Sequence, residues 1–434
     1  MAGKGSDVQP FFGRLRFGLI DRIRGTKSVP LLRELEALQF AAPATLAQRQ
    51  QALLAEYAGL VRQTSPLYAQ YAGFDDFPII DKAWANAHRA QLMNPGHSGK
   101  LIRKKTGGST GEPFVYYTGT RAQSYLWAAI LLSWRVTGYR LGEPVAFFAG
   151  TSLFGTGYKQ KIYYALMNVK VFSAFDLSPA KLDAYADGIA RAGARVLYGY
   201  ASAIHQLALH IKRNKLTPPF KLRGVVCTAE VLTDTMRATI EQAFKVPCYS
   251  QYGCNDAGVS AFECEERKGF HLISQRAYTE VLPDGRLVST DLSNDAFFLP
   301  RYDTGDLVQM ADKPCPCGRG FALIQSVVGR ANDMVEDPAG NAVHSEFFTH
   351  LFREDSRIHE FQVVYDQHEL VVIVHCADPA FDHPPYLERI RAALHFDSVR
   401  FAINQPFVAT KNAKHRFVMR VENVAQEMGE KIAC

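Results

Sequence analysis

From Leu177 the chain alternates between helical and extended periods, and that alternation restricts its fold more than any other feature. "SPAKLDAYADGIARAG" places Ser178 to cap a helix with Pro179 in its first turn, and "ARVLYGY" follows as a buried strand. The series continues with a helix over "ASAIHQLALHIKRNKL", a strand over "LRGVVCTAE", a helix over "LTDTMRATIEQAFK" with Thr233 or Asp234 near its cap, and a strand over "VPCYSQYG". Such alternation predicts a parallel, helix-covered sheet, whose ligands bind beyond the carboxyl ends of the strands. Those ends carry "TAE" (Thr228 to Glu230, through Ala229) and "YGCND" (Tyr252 to Asp256).

Beyond this region "YTEVLPDGRLVST" reads as two strands around a Pro-Asp-Gly turn, so an antiparallel subdomain is expected there. From Asn332 the pattern restarts as strand, strand, helix, strand and the basic loop "TKNAKHRF". The expected architecture is α/β. A large N-terminal domain, residues 1–331, has mostly parallel, helix-covered sheets plus the antiparallel subdomain, and a small mobile C-terminal α+β domain spans 332–434.

A chain of 434 residues can bury a large core, which excludes a small disulfide scaffold. Its net charge of +6 suits small polyanionic substrates and gives no argument for nucleic acid. The run "YLWAAILLSW" is too short to span a bilayer, so no stable membrane insertion is expected. The first residues set Phe, Leu and Ile at helical spacing among arginines without a signal-peptide pattern. Such a basic amphipathic helix could lie on a membrane surface, but packing against the protein's own core is the stronger expectation. Eight cysteines without regular spacing fit a reducing cytoplasm.

"KKTGGSTGEP" (Lys104 to Pro113) combines close-approach glycines with hydroxyl donors behind two lysines, a composition suited to wrapping phosphate. It lacks the GK[ST] ending of a Walker loop, which argues against a kinase or ATPase built on it. Four more stretches follow in order: "YGCNDAG", "RYDTGDL", "GRANDMV" and "TKNAKHRF". With these five the chain resembles the adenylate-forming (acyl-CoA synthetase) superfamily, and within it the phenylacetate-CoA ligase-like branch, from about Phe77 to Val421.

The resemblance implies that Thr106, Gly107, Gly108, Ser109, Thr110 and Gly111 hold ATP phosphates, with Glu112 where lysine is common in the family. It implies that Tyr252 stacks near adenine beside Gly253 and Asn255, that Asp256 helps hold magnesium, and that Ala229 and Glu230 lie in the same nucleotide site. Asn255 and Asp256 stand where the family has threonine and glutamate. By the same resemblance Asp306 accepts from both ribose hydroxyls, Arg330 reaches the ribose or its phosphate, and the hinge falls on Asn332. Lys414, after Ala413 in place of the usual glycine, is the catalytic lysine, with Lys411 as the competing assignment.

Cys264, His271, Cys315 and Cys317 offer a Cys3His set for a structural zinc; the alternative is buried cysteines beside a hydrogen-bonded histidine. Some members of the branch carry similar sets. The implied reaction joins a carboxylic acid to AMP with release of pyrophosphate, then passes the acyl group to an acceptor. The expected acid is aryl or otherwise apolar, and the expected acceptor is coenzyme A, with a carrier protein or an amine as alternatives. A non-catalytic nucleotide-binding homologue is the rival from another class. A zinc-ribbon nucleic-acid module fits less well, because the four ligands are not paired as CxxC knuckles.

Overall fold

The computed structural model describes residues 8–105, 114–149, 158–174, 177–230, 232, 234–327, 334–344, 347–348, 351–352, 355, 357–376, 381–408, 418–426 and 428. Three helices open it: α1 (Val8–Arg24), α2 (Ser28–Leu38) and α3 (Pro43–Thr64). A short α4 (Lys82–Ala87), capped by the Asp81 carboxylate, precedes the antiparallel pair β1 (Ile102–Lys105) and β2 (Val115–Thr118).

After α5 (Thr120–Arg135) comes the alternating region: β3 (Val145–Ala149), α6 (Tyr158–Leu166), β4 (Val169–Ser173), α7 (Pro179–Ala192), β5 (Val196–Tyr200), α8 (Ala201–Arg213), β6 (Gly224–Thr228), α9 (Asp234–Phe244) and β7 (Cys248–Cys254). The strands β3 to β7 pair parallel throughout, as the period of the sequence requires. Ser178 and Pro179 start α7 where expected, and Gly193 ends it in the left-handed conformation.

The next six strands are β8 (Val259–Glu263), β9 (Phe270–Leu272), β10 (Ala277–Val281), β11 (Arg286–Asp291), β12 (Tyr302–Met310) and β13 (Leu323–Val327). They are antiparallel, and they continue the same sheet in the order β10-β11-β12-β13-β9-β8-β7-β6-β5-β3-β4. The two halves keep separate cores. One packs Trp134, Phe148 and Ile204 around the parallel strands; the other packs Phe114, Phe297 and Phe298 around the antiparallel ones.

The remaining elements are β14 (Met334–Glu336), β15 (Ala342–His344), β16 (Ile358–Tyr365), β17 (Glu369–Cys376), α10 (Pro384–Ala393), β18 (Ser398–Ile403) and β19 (Val418–Arg420). A four-stranded sheet, β18-β17-β16-β19, is buried on both faces: Leu370, Val372 and Val374 point to one core, Val371 and Ile373 to another. Among the described residues no helix is long and apolar enough to cross a membrane.

Where β5 runs beside β3 the sheet requires a residue without a side chain. Gly199 has φ +140°, and a Cβ there would sit 2.0 Å from the Phe148 carbonyl oxygen. Replacing it must push β5 and β3 apart. Gly199→Ala is expected to lower stability by roughly 3 kcal/mol, read from the urea midpoint of the purified variant.

Candidate functional site

The parallel strands reverse their order about β3, whose sequential neighbours β4 and β5 lie on its opposite sides. A crevice beyond the carboxyl ends of β3 and β5 is therefore the topologically favoured binding place. One strand further on, β6 ends at Thr228 and turns through Ala229, which holds φ +68°. A left-handed alanine costs about 1 kcal/mol, so the turn is held by its surroundings. The Glu230 carboxylate supplies part of that hold. It accepts hydrogen bonds from the Ser202 amide at 2.7 Å and the Ser202 hydroxyl at 2.9 Å, in the first turn of α8. Negative charge is favoured at that helix end. Both oxygens of Glu230 thus tie the end of β6 to the start of α8.

At the end of β7 three of the expected site residues come together. The Tyr252 hydroxyl donates to Asp306 Oδ2 at 2.7 Å, although β7 and β12 are separated in the sheet by β8, β9 and β13. Asp256, in the turn after β7, accepts from the Cys254 thiol at 2.9 Å and from the Tyr302 hydroxyl at 3.2 Å. These bonds form two groups, Tyr252–Asp306 and Cys254–Asp256–Tyr302, and each joins "YGCNDAG" to "RYDTGDL". Asn255 and Gly253 lie on the same segment, with Asn255 exposed in the turn.

Arg301 fixes the start of β12. It holds φ +48°, donates to both Glu280 oxygens at 3.1 and 2.8 Å, and donates to the Asp75 and Phe77 carbonyls at 3.0 and 2.9 Å. The next residue, Tyr302, is thereby aimed at Asp256. Sequence reasoning did not single out Tyr302 or Cys254. Each lies within a stretch already chosen, Cys254 two residues before Asp256 and Tyr302 four before Asp306, so proximity to a named acid was the available signal.

In the sequence the glycine-rich stretch lies between β1 and β2, which pair antiparallel. Lys104 stands opposite Tyr116 in that pair. Burial raises the Tyr116 hydroxyl far above the ordinary phenol range, with Asp256 and Cys254 adding to the effect, which places the two strands beside those residues. Burial, then Arg276 and Arg24, pull the Lys104 ammonium down to about 8. Thr106, Gly107, Gly108, Ser109, Thr110, Gly111, Glu112, Arg330, Asn332, Lys411, Ala413 and Lys414 lie outside the described residues.

The chain entering and leaving "TKNAKHRF" is described, and both sides are fastened to β16. The buried Gln362 side chain makes a reciprocal amide pair with Val408, donating to its carbonyl at 3.0 Å and accepting from its N–H at 2.7 Å. Val418 pairs with Val363, the next residue of the same strand. His375 adds a hydrogen bond to the Gln405 carbonyl at 2.8 Å and stacks on Phe407.

The Cys/His set is brought together as the sequence suggested. Cys264 follows β8, His271 is on β9, and Cys315 and Cys317 lie between β12 and β13. One ligand atom from each falls within 4.8 Å of the others; Cys264 Sγ and Cys315 Sγ are 3.6 Å apart, and Cys317 Sγ is 3.3 Å from His271 Nε2. Tetrahedral Zn–S bonds of about 2.3 Å separate two sulfurs by about 3.8 Å, so the spacing suits that ion. Burial raises the Cys317 thiol, but the Arg319 amide and guanidinium outweigh it and hold the thiol below its ordinary value. Burial, then Arg319, lower His271 to about 4, which keeps its imidazole neutral and able to bind metal.

No family model matches the chain. It is 24% identical to Protein CapK of Staphylococcus aureus over 331 residues, 71% of this chain and 70% of that protein. It is 28% identical to a phenylacetate-coenzyme A ligase of Pseudomonas putida over 60% of this chain and 61% of the relative, and 31% identical to one of Thermus thermophilus over 30% and 32%. A crystal structure of 2-hydroxyisobutyryl-CoA ligase, in complex with 2-HIB-AMP and CoA in the thioesterification state, shares the fold at TM-score 0.57 and 19% identity, covering 94% of both chains. The likeness is to the adenylate-forming enzymes, on their phenylacetate-CoA ligase-like branch. The same ligase in its postadenylation state matches at TM-score 0.52 over 89% of this chain and 91% of that one.

Proposed function

We propose that this enzyme activates an aryl or other apolar carboxylic acid with ATP and transfers the acyl group to coenzyme A. The observation that carries the reading is the bond between Tyr252 and Asp306, which joins two of the five ordered motifs, as a second bond between Tyr302 and Asp256 also does. The phenylacetate-coenzyme A ligases among the relatives, and the CoA-bound ligase among the structural neighbours, support both the reaction class and the acceptor.

In the first step a carboxylate oxygen attacks the α-phosphorus of ATP, the bond to the β-phosphate breaks, and pyrophosphate leaves. In the second, the thiol gives up its proton to solvent, its sulfur attacks the acyl carbon, the bond from that carbon to the AMP phosphate oxygen breaks, and AMP departs to leave a thioester. We assign Asp306 to the ribose diol, where a carboxylate supplies acceptors for two donors, and Tyr252 to the edge of the adenine pocket. Thr106 to Gly111 wrap the phosphates, with Lys104 at the base of that loop. Asp256 is the carboxylate that would hold magnesium, its orientation set by Tyr302 and Cys254. A bound magnesium would neutralise phosphate charge. Arg330 reaches the ribose side, and Lys414 offsets the repulsion between the attacking carboxylate and the α-phosphate. Residues 332–434 form the lid that carries Lys414, turning at Asn332 between the two steps.

Cys264, His271, Cys315 and Cys317 would hold a structural zinc, because four protein ligands leave no open position. Their place in the chain explains the role. Cys315 and Cys317 lie on the connection between β12, which carries Asp306, and β13, which leads to Arg330.

Pyrophosphate release with ATP and magnesium should be stimulated by one class within a panel of aryl and fatty acids, and thioester should form only with coenzyme A present. Silence across the panel despite ATP binding would favour the non-catalytic reading. Lys414→Ala should abolish the release while leaving the melting curve unchanged, and a normal rate in that variant would move the role to Lys411. Lys104 is charged below about 8, so ATP affinity should be greatest below that pH and fall as pH rises through it. Lys104→Ala should weaken binding and flatten that profile in calorimetric titrations. Purified protein should contain one zinc per chain by metal analysis, and Cys315→Ser should lose it together with several degrees of thermal stability.

A further inference from the structure

The first helix has two faces with different fates. Phe17 and Ile20 are buried at 3% and 6% exposure, whereas Leu15, Leu19 and Ile23 stand 56%, 50% and 69% exposed. Residues four apart advance about 40° around a helix, so these three form one apolar stripe of about 80° on the side opposite Phe17. Arg16 and Arg22 flank it, with Arg14 further round, and all three are exposed. Asp21, the acid of α1, is turned inward, accepting from the Thr26 hydroxyl at 2.7 Å and the Val29 amide at 2.9 Å.

The helix is seated firmly enough to present that stripe in a fixed direction. A Cβ on Gly13 would lie 2.3 Å from the Gly142 carbonyl oxygen, so the helix backbone rests directly on the body of the protein. Arg24 stacks over the Tyr163 ring at 4.4 Å, and Trp127 and Met167 close the space beneath Phe17 and Ile20. The inward face is therefore satisfied within the chain, and the stripe points away from it.

We propose that the outer face of α1 docks the enzyme reversibly on an anionic lipid surface. Apolar side chains flanked by arginines are the pattern of a helix lying in the headgroup region, with the leucines and isoleucine entering the acyl boundary and the guanidiniums meeting lipid phosphates. Charge decides against a second copy of the chain as the occupant. Two such faces packed together would oppose arginine to arginine, and the exposed residues of α1 include no acid to pair with them.

The test is co-sedimentation of the full chain with phosphatidylcholine vesicles, with and without about one-third phosphatidylserine, at low and high salt. The wild-type protein should bind the anionic vesicles, and high salt should weaken that binding. Leu15→Ser/Leu19→Ser/Ile23→Ser should reduce it about tenfold or more. Arg16→Gln/Arg22→Gln should reduce it about twenty-fold on anionic vesicles and leave neutral ones unaffected. Equal binding to neutral vesicles, or binding that survives both variants, overturns the proposal. Sedimentation velocity covers the other occupant: self-association abolished by the serine variant, without vesicle binding, would make the stripe an interface between copies. If the serine variant fails to fold, the glutamine variant decides, because it keeps every apolar side chain of α1. The readout involves no turnover, so failure of the ligase reading leaves this result intact.

Discussion

Everything in the large sheet depends on one change of direction. β7 pairs parallel to β6 on one side and antiparallel to β8 on the other, so a helix-covered doubly wound sheet and an antiparallel meander share a single strand. Hydrogen bonding continues unbroken across that strand, while the packing on either side collects into separate cores. The turn that makes the reversal possible follows Cys254, and it presents Asp256 at the end of the parallel strands. Sheet curvature then brings β12 close enough for the Tyr252 hydroxyl to meet Asp306. These polar contacts are thus a product of topology, with no insertion or appended loop needed to assemble them.

The alternating segments from Pro179 to Cys254 were legible because each has a clear period and clear ends: proline at a first turn, glycine at a left-handed exit, unbroken apolar runs for strands buried on both faces. The Pro-Asp-Gly turn marked its hairpin for the same reason. What could not be read was how the two halves join. Strand pairing between distant segments leaves little trace in local pattern, so the expected antiparallel subdomain gave no sign that it would extend the parallel sheet.

The site divides along a similar line. Tyr252, Asp256 and Asp306 were singled out through ordered motifs, and the Cys/His set, which the fold does bring together, through its chemistry. The partners that orient them were not. Ser202 under Glu230, Tyr302 against Asp256 and Gln362 against Val408 are ordinary residues whose importance arises only from three-dimensional contact. A serine that opens a helix or a glutamine inside a strand has many equivalents along any chain. The first helix shows the converse. Its amphipathic spacing was visible, but only packing reveals that its inward face is satisfied and a second apolar face remains outside.

The fastening of Val408 and Val418 to adjacent residues of β16 has a mechanical meaning. A segment tethered at both ends to nearly the same place can carry its midpoint no further than about half its contour length, roughly 17 Å for the residues between them. Under the reaction proposed above, bringing the lysine of that segment to a phosphate beyond this reach takes movement of the whole four-stranded body.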